Sequence, residues 1–208
     1  MFKYVVIFCC LFFQQTSFSQ NFKPAVNSEK ILSDLKKTSQ STNSIQADFR
    51  EEKKVAILKE SKVSSGVFYY KKNDKMRWEQ KLPFSYVILI NGDRIRVQDA
   101  GKEKKLGSAG RMAGQIKELM IGLVNGDFQQ NKAFKITCME NADLNQIVLT
   151  PVNKRLKNVY SKIELVFPKS THRLQELSFF EKGGDTSVMK FRNEKINQPI
   201  AESLFSNL

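Results

Sequence analysis

The chain has 208 residues, enough for one domain with a substantial core. It holds 34 Lys and Arg against 21 Asp and Glu, a formal charge of +13. That balance suits acidic surfaces such as nucleic acid, anionic lipid or an acidic partner, but the lysines are spread from Lys23 to Lys195 rather than clustered. With three cysteines and one histidine, the composition excludes a disulfide-stapled scaffold and any His/Cys metal cage.

Residues 1–19 read as a signal peptide. Lys3 gives a positive start, Tyr4 to Phe13 is apolar but too short to span a bilayer, and Ser17-Phe18-Ser19 supplies small residues for cleavage. Cys9 and Cys10 do not make a lipoprotein signal, because Phe8 is bulky where a small residue is needed. Cleavage after Ser19 would remove one lysine, leaving +12, and would leave Cys138 as the one thiol. Cys138 alternates with Phe134 and Ile136, the pattern of a core position. An exported protein also disfavours nucleic acid as partner.

Residues 20–208 read as one domain. Ser28 can cap a short amphipathic helix with Ile31, Leu32 and Leu35 on its apolar stripe. Ile45, Ala47 and Phe49 then alternate with polar neighbours as a half-buried strand. Further strands are predicted over Val63–Lys71, Lys75–Lys81, Phe84–Ile90 and Arg94–Gln98, with Asn91-Gly92 as a hairpin turn. The basic residues Lys71, Lys72, Lys75, Arg77 and Lys102 to Lys105 are placed at turns.

Glycines at 107, 110, 114, 122 and 126 punctuate a helical stretch carrying Met112, Ile116, Leu119, Met120 and Leu123 at helical spacing. Internal glycines weaken a helix by roughly 1 kcal/mol each, which suits a movable lid. Strands resume over Ala133–Cys138, Gln146–Pro151, Tyr160–Phe167, Arg173–Phe180 and Ser187–Arg192, the last two joined at Gly183-Gly184-Asp185.

The predicted fold is mainly β within the α+β class. It is a strongly curved antiparallel sheet, or unclosed barrel, with a helical lid over an apolar cavity. Phe49, Phe68, Tyr70, Trp78, Tyr86, Ile88, Ile90 and Phe179 are its predicted walls. His172 stands alone in a turn, no carboxylate pair emerges, and no nucleophile elbow or phosphate loop is present. A binding protein without cofactor or metal is expected, not an enzyme.

The ordered set Ile45-Gln-Ala-Asp-Phe49, Gly66-Val-Phe-Tyr-Tyr-Lys-Lys, Met76-Arg-Trp78, Pro83, Asn91-Gly-Asp93, the glycine-rich insert and the Asn197…Phe205 tail resembles the LolA family. These are periplasmic carriers of outer-membrane lipoproteins in Gram-negative bacteria. The resemblance implies a monomeric periplasmic chaperone whose cavity holds lipoprotein acyl chains. An inner-membrane ABC transporter of the Lol type would load it and an outer-membrane acceptor would unload it. It also implies a lid latch at Lys72, where the family carries an arginine followed by proline, and a transporter contact at Met76. Two other binding roles fit the same resemblance: a carrier of another lipid, such as a pigment ester or glycolipid, and a regulatory module that senses lipoproteins.

Overall fold

The computed structural model describes residues 21–58, 60–105, 122 and 132–208. The predicted lid residues Met112, Ile116, Leu119, Met120 and Leu123 lie outside them, as does the signal segment.

Among the described residues, twelve strands form a single sheet: β1 (Lys23–Pro24), β2 (Ser44–Val55), β3 (Glu60–Lys71), β4 (Lys75–Leu82), β5 (Tyr86–Asn91), β6 (Arg94–Asp99), β7 (Lys102–Lys104), β8 (Phe134–Glu140), β9 (Leu144–Pro151), β10 (Tyr160–Pro168), β11 (Glu176–Glu181) and β12 (Thr186–Ile196). Their order is β1-β8-β9-β10-β11-β12-β2-β3-β4-β5-β6-β7, with every pair antiparallel. Two meanders, β2–β7 and β8–β12, are thus joined along the β12–β2 seam. The end strands β1 and β7 do not pair, so the barrel is unclosed.

Helix α1 (Ser28–Gln40) crosses the concave face from the β1 edge to the middle of the sheet. Its cap is Asn27, whose side chain accepts from the Lys30 amide, and not Ser28. The Ser28 side chain lies instead beside the buried Cys138 thiol. Ile31 and Leu35 face the core. A helix of 13 residues is about 20 Å long. Yet α1 touches β8 and shares a pocket with Phe68 on β3, six strands away and about 29 Å along a flat sheet. The sheet is therefore wrapped around the helix.

Breaks in register help it bend. One lies between β3 and β4, where register shifts at Ser65/Gly66. A Cβ on Gly66 would stand 1.9 Å from the Glu79 carbonyl oxygen, so only glycine allows this approach. Phe49 pairs with Gly66 across the ladder, and its ring stacks on Trp78 at 3.8 Å between centroids. Phe68 and Phe191 pack around the same indole at 6.2 and 6.3 Å.

The convex face is covered in part by the chain's own C-terminus. Leu89, Ile200 and Phe205 form a second buried cluster, with Tyr69, Leu204 and Leu208 against it. A 3-10 turn (Glu202–Phe205) positions Phe205. Lys71 and Lys75 both bind the Glu202 carboxylate, Lys75 at 2.7 Å. Arg77 is buried and donates to the carbonyls of Leu204 and Asn207, and Arg96 to that of Ser206. These residues are not turn decoration, as their sequence context suggested. They grip the tail. Asn197, at φ 57°, begins it and ties it to the α1–β2 corner through the Asn43 amide and the Ser41 carbonyl.

Other differences from the sequence reading are local. Phe84 sits in the β4–β5 turn, not in β5. Arg173 and Leu174 belong to the β10–β11 loop, and a short helix (Lys154–Val159) precedes β10.

Two outcomes are expected. Gly66→Ala should destabilise the protein by more than about 1 kcal/mol in urea unfolding, because the backbone must move apart there. The second concerns pH. The two lysine ammonium groups hold the Glu202 carboxyl down to about 2, from an ordinary value of 4.5. A lowered carboxylate stabilises above its unfolded value and loses that contribution as pH falls through the folded one. Hydrogen exchange in residues 198–208 should therefore accelerate between pH 4.5 and about 2, and Glu202→Gln should remove that step.

Candidate lipid-binding site

An open-mouthed pocket with a cavity volume of about 80 Å3 lies between the C-terminal half of α1 and the concave face of the sheet. Its floor is Ile45 and Ala47 from the start of β2, Phe68 from the end of β3, and Phe191 from β12. Leu35 forms one wall, with Phe167 and Leu174 opposite. Alternation along β2 puts Ile45 and Ala47 on the same side as Phe49, so the pocket continues the apolar face of the aromatic knot.

The mouth is polar. Thr38 and Ser39 line it from α1, Thr42 from the α1–β2 corner, His172 and Arg173 from the β10–β11 loop, and Glu194 from β12. The register shift between Arg192 and Lys195, with Asn193 at φ 54°, swings Glu194 towards the opening. Asn193 is fixed by its bond to Asp48 at 2.8 Å. Glu194 as a residue remains exposed, but crowding around its carboxyl raises the pKa, an effect Arg173 opposes. His172 is half-buried, at φ 54°, with Nε2 4.0 Å from Asp34. It is a rim residue rather than an isolated exposed one.

Of the eight predicted wall residues, Phe68 lines this pocket. Phe49, Tyr70, Trp78, Ile90 and Phe179 are buried in the core cluster beside it, and Ile88 packs on that cluster. Burial pushes the Tyr70 phenol up to about 12. Tyr86 is half-buried, its pKa raised by burial and then by Asp99. The floor residues missed in the sequence carried a visible signal. Ile45 and Ala47 share the parity of Phe49, and Leu35 lies on the helix stripe.

Lys72 is exposed, and its ammonium donates to the Gln40 carbonyl at 2.7 Å. Its amide donates to the Asn43 carbonyl. A cation at a helix C-terminus meets both the orphan carbonyls and the negative end of the dipole. Lys72 therefore clasps α1, one wall of the pocket. Met76 is 3% exposed, between Tyr70 and Ile90 on neighbouring strands. It packs in the core cluster. Among the described residues, no group of three metal-ligating side chains is assembled.

The family described as outer membrane lipoprotein carrier protein LolA matches residues 40–207. The chain belongs to the LolA family. No curated protein matches it. Similar solved structures include a LolA superfamily protein from Nitrosomonas europaea, 16% identical, with 88% of this chain and 99% of that one covered at a TM-score of 0.47. A putative outer membrane lipoprotein-sorting protein domain from Vibrio parahaemolyticus is 10% identical, covering 85% and 94%, at 0.47. The Mycobacterium tuberculosis lipoprotein LppX is 14% identical, covering 84% and 99%, at 0.43.

Trp78, the single tryptophan, is 9% exposed and borders Phe68 in the pocket floor. Its fluorescence should be blue-shifted and poorly quenched by iodide, and an acyl chain entering over Phe68 should change its intensity in direct titration.

Proposed function

We propose that this LolA-family protein is an exported periplasmic chaperone that shields the acyl chains of lipoproteins between inner and outer membrane. In this reading its signal segment is cleaved after Ser19. The observation that carries it is the apolar pocket between α1 and the concave sheet, lined by Leu35, Ile45, Ala47, Phe68, Phe167 and Phe191.

The physics of the task supports it. Each exposed methylene of an acyl chain costs about 0.8 kcal/mol in water, so a free lipid anchor does not cross an aqueous compartment unaided. A floor of Ile45, Ala47, Phe68 and Phe191 removes methylenes from water without directional bonds, and so accepts chains of different length. Binding and release need no covalent chemistry. In this scheme an inner-membrane ABC transporter of the Lol type supplies the energy for loading, and an outer-membrane acceptor takes the cargo. The monomer works alone in between.

The polar mouth favours a second reading within the same chemistry. Arg173, Glu194, Thr38 and Thr42 suit an amphiphile whose head forms hydrogen bonds, such as a glycolipid or pigment ester.

Thr38→Trp would fill the pocket from the half-exposed face of α1 without touching the core. It should lower affinity for a fluorescent long-chain fatty acid by about ten-fold or more while leaving Tm unchanged; Thr38→Ala should bind normally. Equal uptake by the folded tryptophan variant would remove this pocket as the acyl site. Acylated peptide co-purifying with the wild type in native mass spectrometry supports lipoprotein as the cargo. Glycolipid or pigment ester supports the second reading.

A further inference from the structure

Apart from Val26, which lies beside Glu140 at the β1 edge, the exposed large apolar side chains among the described residues are gathered towards one end of the sheet. Ile57 (89% exposed) and Leu58 form the β2–β3 turn, Leu82 and Phe84 (73% exposed) the β4–β5 turn, and Val152 follows β9. The antiparallel register puts these connections at the same end. The β11–β12 turn joins them there, since Thr186 pairs with Lys54 and the Asp185 carboxylate accepts from the Ala56 amide at 3.0 Å. Val63, exposed on β3, lies just behind.

These tips are built rather than loose. The Leu58 amide donates to the Val55 carbonyl, the Gln80 side chain to the Phe84 carbonyl, and the Ala100 amide to the Ser85 carbonyl. Holding apolar side chains out into water by a bonded frame is unfavourable unless something else covers them.

The same end is basic. Lys54, Lys62, Lys81 and Lys182 are exposed, and among the described residues no ion pair engages them. Lys154, Arg155 and Lys157 of the short helix stand beside them, since the Lys182 amide bonds the Val159 carbonyl at that helix's end. Apolar tips ringed by free ammonium groups match the two layers of an anionic bilayer surface. The rings and alkyl groups enter the acyl boundary while the lysines meet headgroup phosphates. An acidic protein would be matched by the lysines but not by several separate apolar points on different turns.

We propose that this end of the sheet docks the protein reversibly onto membranes containing anionic phospholipid, through Ile57, Leu58, Leu82 and Phe84. The pocket mouth at Glu194 lies at the other end of the strands, where β2 begins and β12 finishes. Docking therefore leaves that mouth clear, and it can be tested apart from acyl binding.

The test is flotation of the full chain with vesicles of phosphatidylcholine, with and without phosphatidylglycerol. The wild type should float with the anionic vesicles at low salt. Flotation should weaken as salt is raised, as screening predicts. The pair Ile57→Ser and Phe84→Ser should lose about ten-fold in vesicle affinity. Lys54→Glu with Lys62→Glu should lose binding to the anionic vesicles alone. Both pairs alter exposed turns or strand edges and should keep fatty-acid uptake, which separates this proposal from the carrier reading. Failure of the wild type to float with either vesicle would overturn it. So would full binding by the serine pair, or sedimentation showing that the tips instead join two copies of the chain.

Discussion

A twelve-stranded antiparallel sheet with one continuous apolar face has to bend, because among the described residues no flat element is large enough to cover it. One place that favours the bend is Gly66, which lets β4 approach β3 more closely than any side chain would permit. Phe49 occupies the space above that glycine and brings Trp78, Phe68 and Phe191 together. This knot sets the depth of the concavity. It fills one part of the inner face with aromatic rings and leaves the neighbouring part, over Ala47 and Phe68, to α1 and the pocket.

The two faces are closed by different physics. On the concave side α1 packs by burial of Ile31 and Leu35, with polar fastenings that include Lys72 to Gln40 at its end and His172 beside Asp34. On the convex side the tail is held by charge-assisted bonds to backbone carbonyls and one carboxylate, around a small apolar cluster. Much of the strong positive charge has a structural use there: Arg77 and Arg96 cap a carbonyl-rich segment with no regular ladder of its own. Other cations are left for the surface.

The central strands were legible in the sequence because their apolar residues alternate. Ile45-Ala47-Phe49 and Phe68-Tyr70 state both the strand and the buried face, and Asn91-Gly92 and Gly183-Gly184 mark their hairpins. Elements whose partners, rather than side chains, define them were not legible. β1 and β7 are edge strands of two and three residues. The far half of β2, Glu51 to Lys54, is charged throughout. It pairs through polar contacts such as Ser64 to Glu51 and Lys53 to Glu181, so no hydrophobic period announces it. Most of the predicted aromatic wall lies in the core cluster. Which part of it would pack solid and which would stay open depended on where α1 crosses, a tertiary fact with no local signal. The polar mouth was hidden for the same reason: a register break, not a motif, aims Glu194.

The seam between β12 and β2 joins residues 186–196 to residues 44–55 in the middle of the sheet. The central ladder therefore cannot close until almost the whole chain is present. Loop closure over such a separation is slow, and until it happens both meanders carry an open edge beside apolar strands. For a chain that emerges from one end to the other, the early β2–β7 meander must wait unpaired on its β2 side. That interval, more than the finished fold, is when this protein is most exposed to aggregation and most dependent on helpers of its own.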